Sequence, residues 1–348
     1  MDNSVKEVVC SYENLYKAMQ KCRNNVGWKD SVINFTTKGI TNCAKLREQL
    51  LNDKYKISQY SIFYVYEPKK RKIVSTRFKD RVFQRSLCDN YFTQKISKSF
   101  IYDNCACQIN KGTKFARDRL KCHLQRYYRK HGTNGYVLKC DVTDYFGSTS
   151  HEVAFNAVKK RVEDEWVLYH IKKIIDSFND GVNPNVGMGL GSQVTQLIQL
   201  AVLDDLDHYI KEGLHIKQYI RYMDDFILIH EDKEYLLRCK EQIRNELAKI
   251  GLQLSKKKTQ LFPITHPIKF LGFSFRLTQG GRVVMKLLPK KISHERRKLK
   301  KQVNRAKNGI MTREQVDNCF KSWEAHAKQG HTYRLRKHMK RYYKNLWR

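Results

Sequence analysis

Asp224 and Asp225 stand side by side in the run Tyr219-Ile220-Arg221-Tyr222-Met223-Asp224-Asp225-Phe226-Ile227-Leu228-Ile229. β-Branched and aromatic residues on both sides of a two-acid bend predict a β-hairpin with the carboxylates at its turn. Backbone geometry would hold the two acids together despite a repulsion of roughly a few kcal/mol in a partly desolvated site. A hard divalent cation relieves that repulsion and prefers carboxylate oxygens. Asp is also common in ordinary turns, and the pair alone admits that reading. A third acid, Asp141, lies in Tyr136-Val137-Leu138-Lys139-Cys140-Asp141-Val142-Thr143-Asp144-Tyr145-Phe146, which reads as a strand ending in acids and aromatics. A buried strand end holds a carboxylate rigidly. Three such carboxylates suit two-metal phosphoryl transfer, one ion activating an attacking 3′-oxygen and the other steadying a leaving pyrophosphate.

The rest of the chain is built for a polyanion. In 348 residues, 68 Lys and Arg oppose 34 Asp and Glu, a net charge of +34. With 41% hydrophobic and 11% aromatic residues the chain can still bury a full core, which argues against disorder. RNA or DNA is the first partner such an excess implies. An acidic membrane surface is the second, but no stretch approaches bilayer-spanning length. Met1 is followed by polar and charged residues rather than a secretory signal. The ten cysteines are scattered, and Cys105 and Cys107 form a Cys-x-Cys pair with no second half at zinc-ligand spacing. They read as reduced thiols, and the expected location is the cytoplasm. The twelve histidines are dispersed and read mostly as surface residues.

Several elements are needed to position the acids. Residues 1–60 read as amphipathic helices, with Tyr12, Leu15, Tyr16 and Met19 on one stripe. Ser61 to Val74 reads as a hairpin whose turn presents Lys69, Lys70 and Arg71, a shape suited to phosphates. Phe78 to Phe92 predicts a helix with Lys79, Arg81 and Arg85 on one side, and residues 104–131 predict a second, basic one. After the Asp141 strand, Ser148 and Ser150 are both good helix N-caps. A Gly-rich loop over Val186 to Leu190 leads to a long apolar helix from about Ser192 to Ile210. The hairpin follows, then a helix around 232–250 that ends at Gly251. From Lys290 onward, nineteen Lys and Arg stand against four Asp and Glu, in three readable helices. The first closes near Gly309, the second opens on a Thr312/Gln315 capping box, and the third starts near Thr332.

Taken in order, these residues resemble the motifs of reverse transcriptases. Tyr222-Met223-Asp224-Asp225 is similar to the Tyr-x-Asp-Asp box, and Asp141 with Tyr145 and Phe146 to the first catalytic box. Leu190-Gly191-Ser192-Gln193-Val194-Thr195-Gln196 resembles the loop-to-helix box between them. Lys256-Lys257-Lys258-Thr259 and Phe270-Leu271-Gly272-Phe273 resemble the next two. The resemblance spans roughly residues 60–275 and is specific because five boxes occur in order. Within the bacterial, group II intron-related class it is nearest to the diversity-generating retroelement branch. Three stretches carry this: Val65 to Arg71 followed by Phe78-Lys79-Asp80-Arg81, the Leu190 form of the loop box, and Ser322-Trp323-Glu324-Ala325-His326-Ala327. Thr195 and Gly147 depart from that branch, which usually has Ser and Pro there.

The resemblance implies an α+β right-hand polymerase: an N-terminal helical extension over 1–60, fingers over 61–135, a palm with an antiparallel sheet over 136–285 containing a fingers insertion at about 155–190, and a basic helical thumb over 286–348. It implies RNA-directed DNA synthesis, error-prone within a diversity-generating retroelement. Asp141, Asp224 and Asp225 would hold two Mg²⁺, with Mn²⁺ as a substitute. Phe146 would be the steric gate against ribose, and Lys258 a proton donor to pyrophosphate. Arg71, with Lys69 and Arg81, would meet the dNTP triphosphate. Leu190, Gly191 and Gln196 would line the nucleotide site, Leu190 standing where retroviral and intron relatives carry Gln. Phe270, Leu271, Gly272 and Phe273 would grip the primer end, and Arg296, Arg297, Lys300 and Lys301 the primer–template backbone. Partners would be template RNA, primer and cDNA, and a small helical-bundle accessory protein. Two rival readings stay open: a phage-defence reverse transcriptase of abortive-infection type, and a non-catalytic RNA-binding scaffold.

Overall fold

Hydrophobic periodicity and capping account for most elements of the computed structural model, which describes residues 4–66, 71–178, 183–189 and 191–348, with only the backbone of Arg71. The amino-terminal segment is helical as expected: α1 (Val5–Cys10), α2 (Tyr12–Arg23), α3 (Asp30–Thr37) and α4 (Gly39–Leu51). Ser4 and Glu7 close a capping box at the start of α1. Leu15 and Met19 of α2 are buried, and Tyr12 stays largely exposed. The expected hairpin forms from β1 (Ser61–Val65) and β2 (Arg71–Ser75); its turn, with Lys69 and Lys70, lies outside the described residues. The helix α5 (Phe78–Leu87) packs on α2 and continues through a π-turn at Cys88–Phe92 into α6 (Thr93–Ile96).

The palm is a four-stranded antiparallel sheet in the order β4-β5-β3-β6, from β3 (Tyr136–Asp141), β4 (Gln218–Tyr222), β5 (Asp225–His230) and β6 (Gln260–Pro263). β3 and β5 are its centre, which fits their apolar runs. Alternation sends Leu138, Cys140, Phe226 and Leu228 into one core with the helices α9 (His151–Lys159), α10 (Glu165–Asp176), α11 (Gln193–Val202) and α13 (Lys233–Lys249). A short helix α8 (Tyr145–Ser148) follows β3, and α12 (Asp204–His208) follows α11. Val137, Ile227 and Ile229 face the other way, against α7 (Thr113–His131) and a second antiparallel sheet of β7 (Ile268–Phe270), β8 (Phe273–Leu277) and β9 (Val283–Leu287). The thumb is α14 (Pro289–Lys307), α15 (Arg313–Lys328) and α16 (Tyr333–Leu346), with the Thr312/Gln315 capping box in place and Gly309 in the left-handed region. Its own core is small: Leu299, Val303, Val316, Phe320, Met339 and Tyr343.

Three sequence expectations need correction. The strand at 136–146 stops at Asp141, because Val142 to Asp144 turn, with Asp144 left-handed at φ 39°, and Tyr145 and Phe146 begin α8. The expected helix over 192–210 breaks at Leu203, where Asp204 pairs with Arg161 (2.7 Å) and Asp207 with Arg221. The basic helix over 104–131 starts only at Thr113; upstream, Asn104 pairs with Arg221 at the edge of β4. In α7 itself, Arg117 is buried against Gln329 and the Phe273 ring, and Arg119 pairs with Asp103 at 2.7 Å. These two arginines are structural links. Most histidines were expected at the surface; His123, His151 and His170 are buried.

Candidate active site

The two acidic stretches meet at the end of the palm sheet. β3 and β5 run antiparallel with Asp141 opposite Asp225, so these carboxylates share one face. Met223 and Asp224 form the two-residue turn between β4 and β5, with Met223 in the left-handed region at φ 56°. The Val142 amide donates to the Asp224 carbonyl at 3.3 Å, which ties the turn to the end of β3. Desolvation, with Asp141 and Asp224 adding repulsion, pushes the Asp225 carboxyl up to about 6, while Lys139 opposes the shift.

Two lysines face these acids. Lys258 Nζ donates to Asp141 Oδ1 at 2.6 Å, and this hydrogen bond raises the lysine above its ordinary range. Lys139 Nζ lies 2.8 Å from Asp225 Oδ1 and donates to Oδ2 at 2.9 Å. The same ammonium donates to the Lys269 carbonyl on β7, also at 2.9 Å. Asp225 Oδ1, although buried, receives no well-directed hydrogen bond. Among the described residues no three His, Cys, Asp or Glu side chains converge at metal-ligand distance. Asp141 and Asp225 are each turned onto an ammonium group, of Lys258 and Lys139 respectively. An open cleft of about 630 Å³ beside Asp141 is lined by Lys139, Lys257, Lys258, His266 and Lys269.

Behind the turn sits an ion pair that the sequence reading missed. Arg221 and Asp207 both have no solvent exposure and join through two hydrogen bonds of 2.5 and 2.6 Å. Arg221 also donates to the Met223 carbonyl (3.1 Å) and the Leu200 carbonyl (3.0 Å), and Tyr219 donates to Asp207 (2.6 Å). A charged residue inside an apolar strand was the available signal.

Residues 67–275, well over half of the chain, match the family "Reverse transcriptase (RNA-dependent DNA polymerase)". The chain belongs to the reverse transcriptase family. Over 82 residues, 23% of this reverse transcriptase, it is 29% identical to the Gag-Pro-Pol polyprotein of Mason-Pfizer monkey virus, of which it covers 4%. Among solved structures, telomerase from Candida albicans with a fragment of telomeric RNA superposes with a TM-score of 0.53 at 14% identity, over 68% of this chain and 46% of that one. Telomerase from Candida tropicalis, truncated from its C-terminal domain, gives 0.49 at 14% identity, over 70% and 60%. The chain thus spans less than two thirds of these relatives' length. The Candida albicans likeness and the antiparallel palm agree with the expected right-hand polymerase fold.

The other expected site residues of this reverse transcriptase divide by burial. Phe146 is half-buried, its ring edge-on to Tyr145 and its carbonyl bonded to the Met188 amide at 2.7 Å. Gly147, where the resembling branch usually has Pro, passes so close to Asp144 that a Cβ would lie 2.3 Å from Asp144 Oδ2. Gly191 is exposed beside Val74, and Gln196 accepts from the Cys107 thiol at 3.3 Å. The Thr195 hydroxyl back-bonds to Gly189 (2.9 Å) and Ser192 (3.0 Å) carbonyls, work a Ser would also do. Leu190, Lys69 and the Arg71 side chain lie outside the described residues. In the grip segment, Leu271 (φ 43°) and Gly272 (φ 85°) make a tight left-handed turn, while Phe270 and Phe273 are buried in the core beneath it. On α14, Arg297, Lys300 and Lys301 are exposed, whereas Arg296 stacks on Tyr342 with 5.6 Å to the ring centre.

Proposed function

We propose that the chain is an RNA-directed DNA polymerase whose reaction centre is Asp141, Asp224 and Asp225. The observation that carries this is the register of Asp141 opposite Asp225 beside the Asp224 turn, within the stretch that matches the family. The donor set fits hard divalent cations: all its oxygens are carboxylate, and Asp225 Oδ1 is buried without a directed donor. Two Mg²⁺, with Mn²⁺ as a substitute, held by these three residues would lower the 3′-hydroxyl pKa and steady the leaving pyrophosphate. The chain's own groups do the rest. Lys258 holds a proton at Nζ beside Asp141 and can give it to the departing pyrophosphate oxygen. The half-buried Phe146 ring fills the space a ribose 2′-hydroxyl would need. The Leu271–Gly272 turn presents backbone to the primer end, supported by the Phe270 and Phe273 rings below. Lys69 and Arg71 of the β1–β2 hairpin meet the triphosphate.

The test is primer extension on an RNA template with Mg²⁺ and dNTPs. Asp224→Asn with Asp225→Asn should abolish synthesis and leave RNA binding intact; near-wild-type extension by that double variant would sink the assignment.

We infer further that the enzyme is of the diversity-generating retroelement type, working with a small helical-bundle accessory protein. The loop box with Leu190 and the Ser322–Ala327 segment support this reading. Leu offers volume but no hydrogen-bonding group, so a misplaced nucleotide loses less than beside Gln. One hydrogen bond of about 0.5–1.5 kcal/mol implies roughly a three- to tenfold change in error ratio. Sequencing cDNA made by wild type and Leu190→Gln on one adenine-rich RNA measures it. Equal misincorporation opposite adenine would remove Leu190 from the account of fidelity.

A further inference from the structure

The second sheet has one face covered and one face bare. Phe273, Phe275 and Leu277 of β8 are buried in the core shared with the palm sheet. The alternate residues Ser274 and Arg276 point away from that core, and Arg276 and, on β9, Lys286 are exposed. Register sets Lys269 opposite Ser274 and Ser274 opposite Lys286. Two cations thus flank a hydroxyl across three strands, about 10 Å apart.

Two clefts lie along this face. The first, of about 410 Å³, is bordered by Ser274, Arg276, Val284 and Lys286. The second, of about 680 Å³, runs on from Lys286 past Arg282 to Arg334 and Arg336 at the head of α16. Lys286 belongs to both, so they form one trough. Backbone bonds fix the join between sheet and thumb. The His331 amide donates to the Met285 carbonyl at 2.7 Å, and the Met285 amide to His331 Nδ1 at 3.0 Å. No Asp or Glu lines either cleft. Glu324 pairs with Arg336 at 3.5 Å from outside, and Arg276, Arg282, Lys286 and Arg334 remain as a positive row.

The first turn of α14 separates this trough from the turn that meets the primer end. Pro289 borders the trough. Lys291, two residues and about 200° further round the helix, reaches Gly272 of the Leu271–Gly272 turn. The two surfaces lie on opposite sides of α14.

Cations in a row without acids call for a polyanion. Between them lie the apolar Val284, Pro289 and Ile292, and Tyr333 stands 71% exposed at the far end. A duplex hides its base faces and would meet the charges alone. A single strand offers its bases to the apolar floor and to the tyrosine ring. We propose that the trough is a second nucleic-acid site, which holds a single-stranded stretch of polynucleotide apart from the primer–template. The proposal rests on the polymerase reading only for where the primer–template sits. A strand held there spans β9 and α16, and keeps the nucleic acid on the chain when the primer end leaves the reaction centre.

The test uses the full chain, a labelled oligo(U) or oligo(dT), and an unlabelled blunt RNA–DNA hybrid in saturating excess. The labelled strand should still bind. Arg276→Gln, Lys286→Gln and Arg334→Gln combined should weaken it about tenfold or more at low salt, and flatten log affinity against log salt by about 0.7 for each phosphate released. Tyr333→Ala should weaken it about tenfold with the slope unchanged. All four side chains are exposed, so these variants keep the fold. Hybrid affinity and extension of a short template should match the wild type in both. The tighter-binding strand, oligo(U) or oligo(dT), names RNA or the DNA product as the occupant. Full displacement of the strand by the hybrid, or unchanged affinity in the triple variant, overturns the proposal. Primer extension by the wild type tests the polymerase reading separately, because strand binding requires no catalysis.

Discussion

Arg221 and Asp207 form an ion pair with no solvent exposure on either partner, and the arginine reaches from it to the Met223 carbonyl in the Met223–Asp224 turn. Removing one member of such a pair strands the other. Asp207→Asn should destabilise the fold by about 3–5 kcal/mol, read by urea unfolding. Arg221→Met with Asp207→Leu should regain much of that stability, yet DNA synthesis should stay low because the Met223 carbonyl then has no donor. A double variant as active as the wild type would show that the turn needs no brace.

Lys258 should matter to the chemical step and little to binding. General acid catalysis contributes about 10²–10⁴-fold, so Lys258→Met should lower kcat by at least tenfold. The KM for dNTP and the primer–template affinity should stay within a few fold. A change confined to affinity would make Lys258 a phosphate ligand instead.

The four thumb cations are not equivalent. Replacing Arg297, Lys300 and Lys301 with Gln should flatten the salt dependence of primer–template binding by about 0.7–0.9 for each phosphate no longer neutralised. Arg296→Gln should mainly cost stability, because that guanidinium stacks on Tyr342. An equal slope change from Arg296 would place it on the nucleic acid.

His170 should give the fold an acid limit. Its ring lies among Tyr55, Phe83, Trp166 and Tyr169 with neither nitrogen partnered, and desolvation lowers its pKa to about 4. The unfolded chain, with His near its ordinary 6.5, then binds more protons than the folded one between those values. Stability is therefore complete above pH 6.5 and falls as pH drops towards 4. His170→Phe should remove that part of the slope, measured by urea unfolding at pH 7.5, 6 and 5. An unchanged slope would mean that the ring is already charged in the fold.

What could be read from the sequence was local. The hairpin was legible because its arms are β-branched and aromatic and its acids adjoin, and the thumb helices because Thr312, Gly309 and Thr332 punctuate them. Gln84 and Ser192 are 108 residues apart, so nothing near either one announces their bond. Lys139 reads only as one residue of the strand that ends at Asp141. Its role emerges only when β3 lies between Asp225 and the Lys269 carbonyl. The break at Leu203 was equally hidden, since the apolar pattern continues through it and the buried pairs of Asp204 and Asp207 decide the path. The burial of Phe270 and Phe273 depends on a second sheet and on α7, which no motif describes.

The six-residue core of the thumb has a consequence for how the molecule breathes. Three helices carrying most of the carboxy-terminal charge share little apolar surface, so self-repulsion weighs heavily against their packing. Such a unit should open below the free energy of global unfolding, with its amides the first to exchange in hydrogen–deuterium exchange. Bound polyanion cancels the repulsion and slows that exchange. A bound polyanion therefore adds to links that the fold already supplies, Arg117 to Gln329 and His331 to Met285.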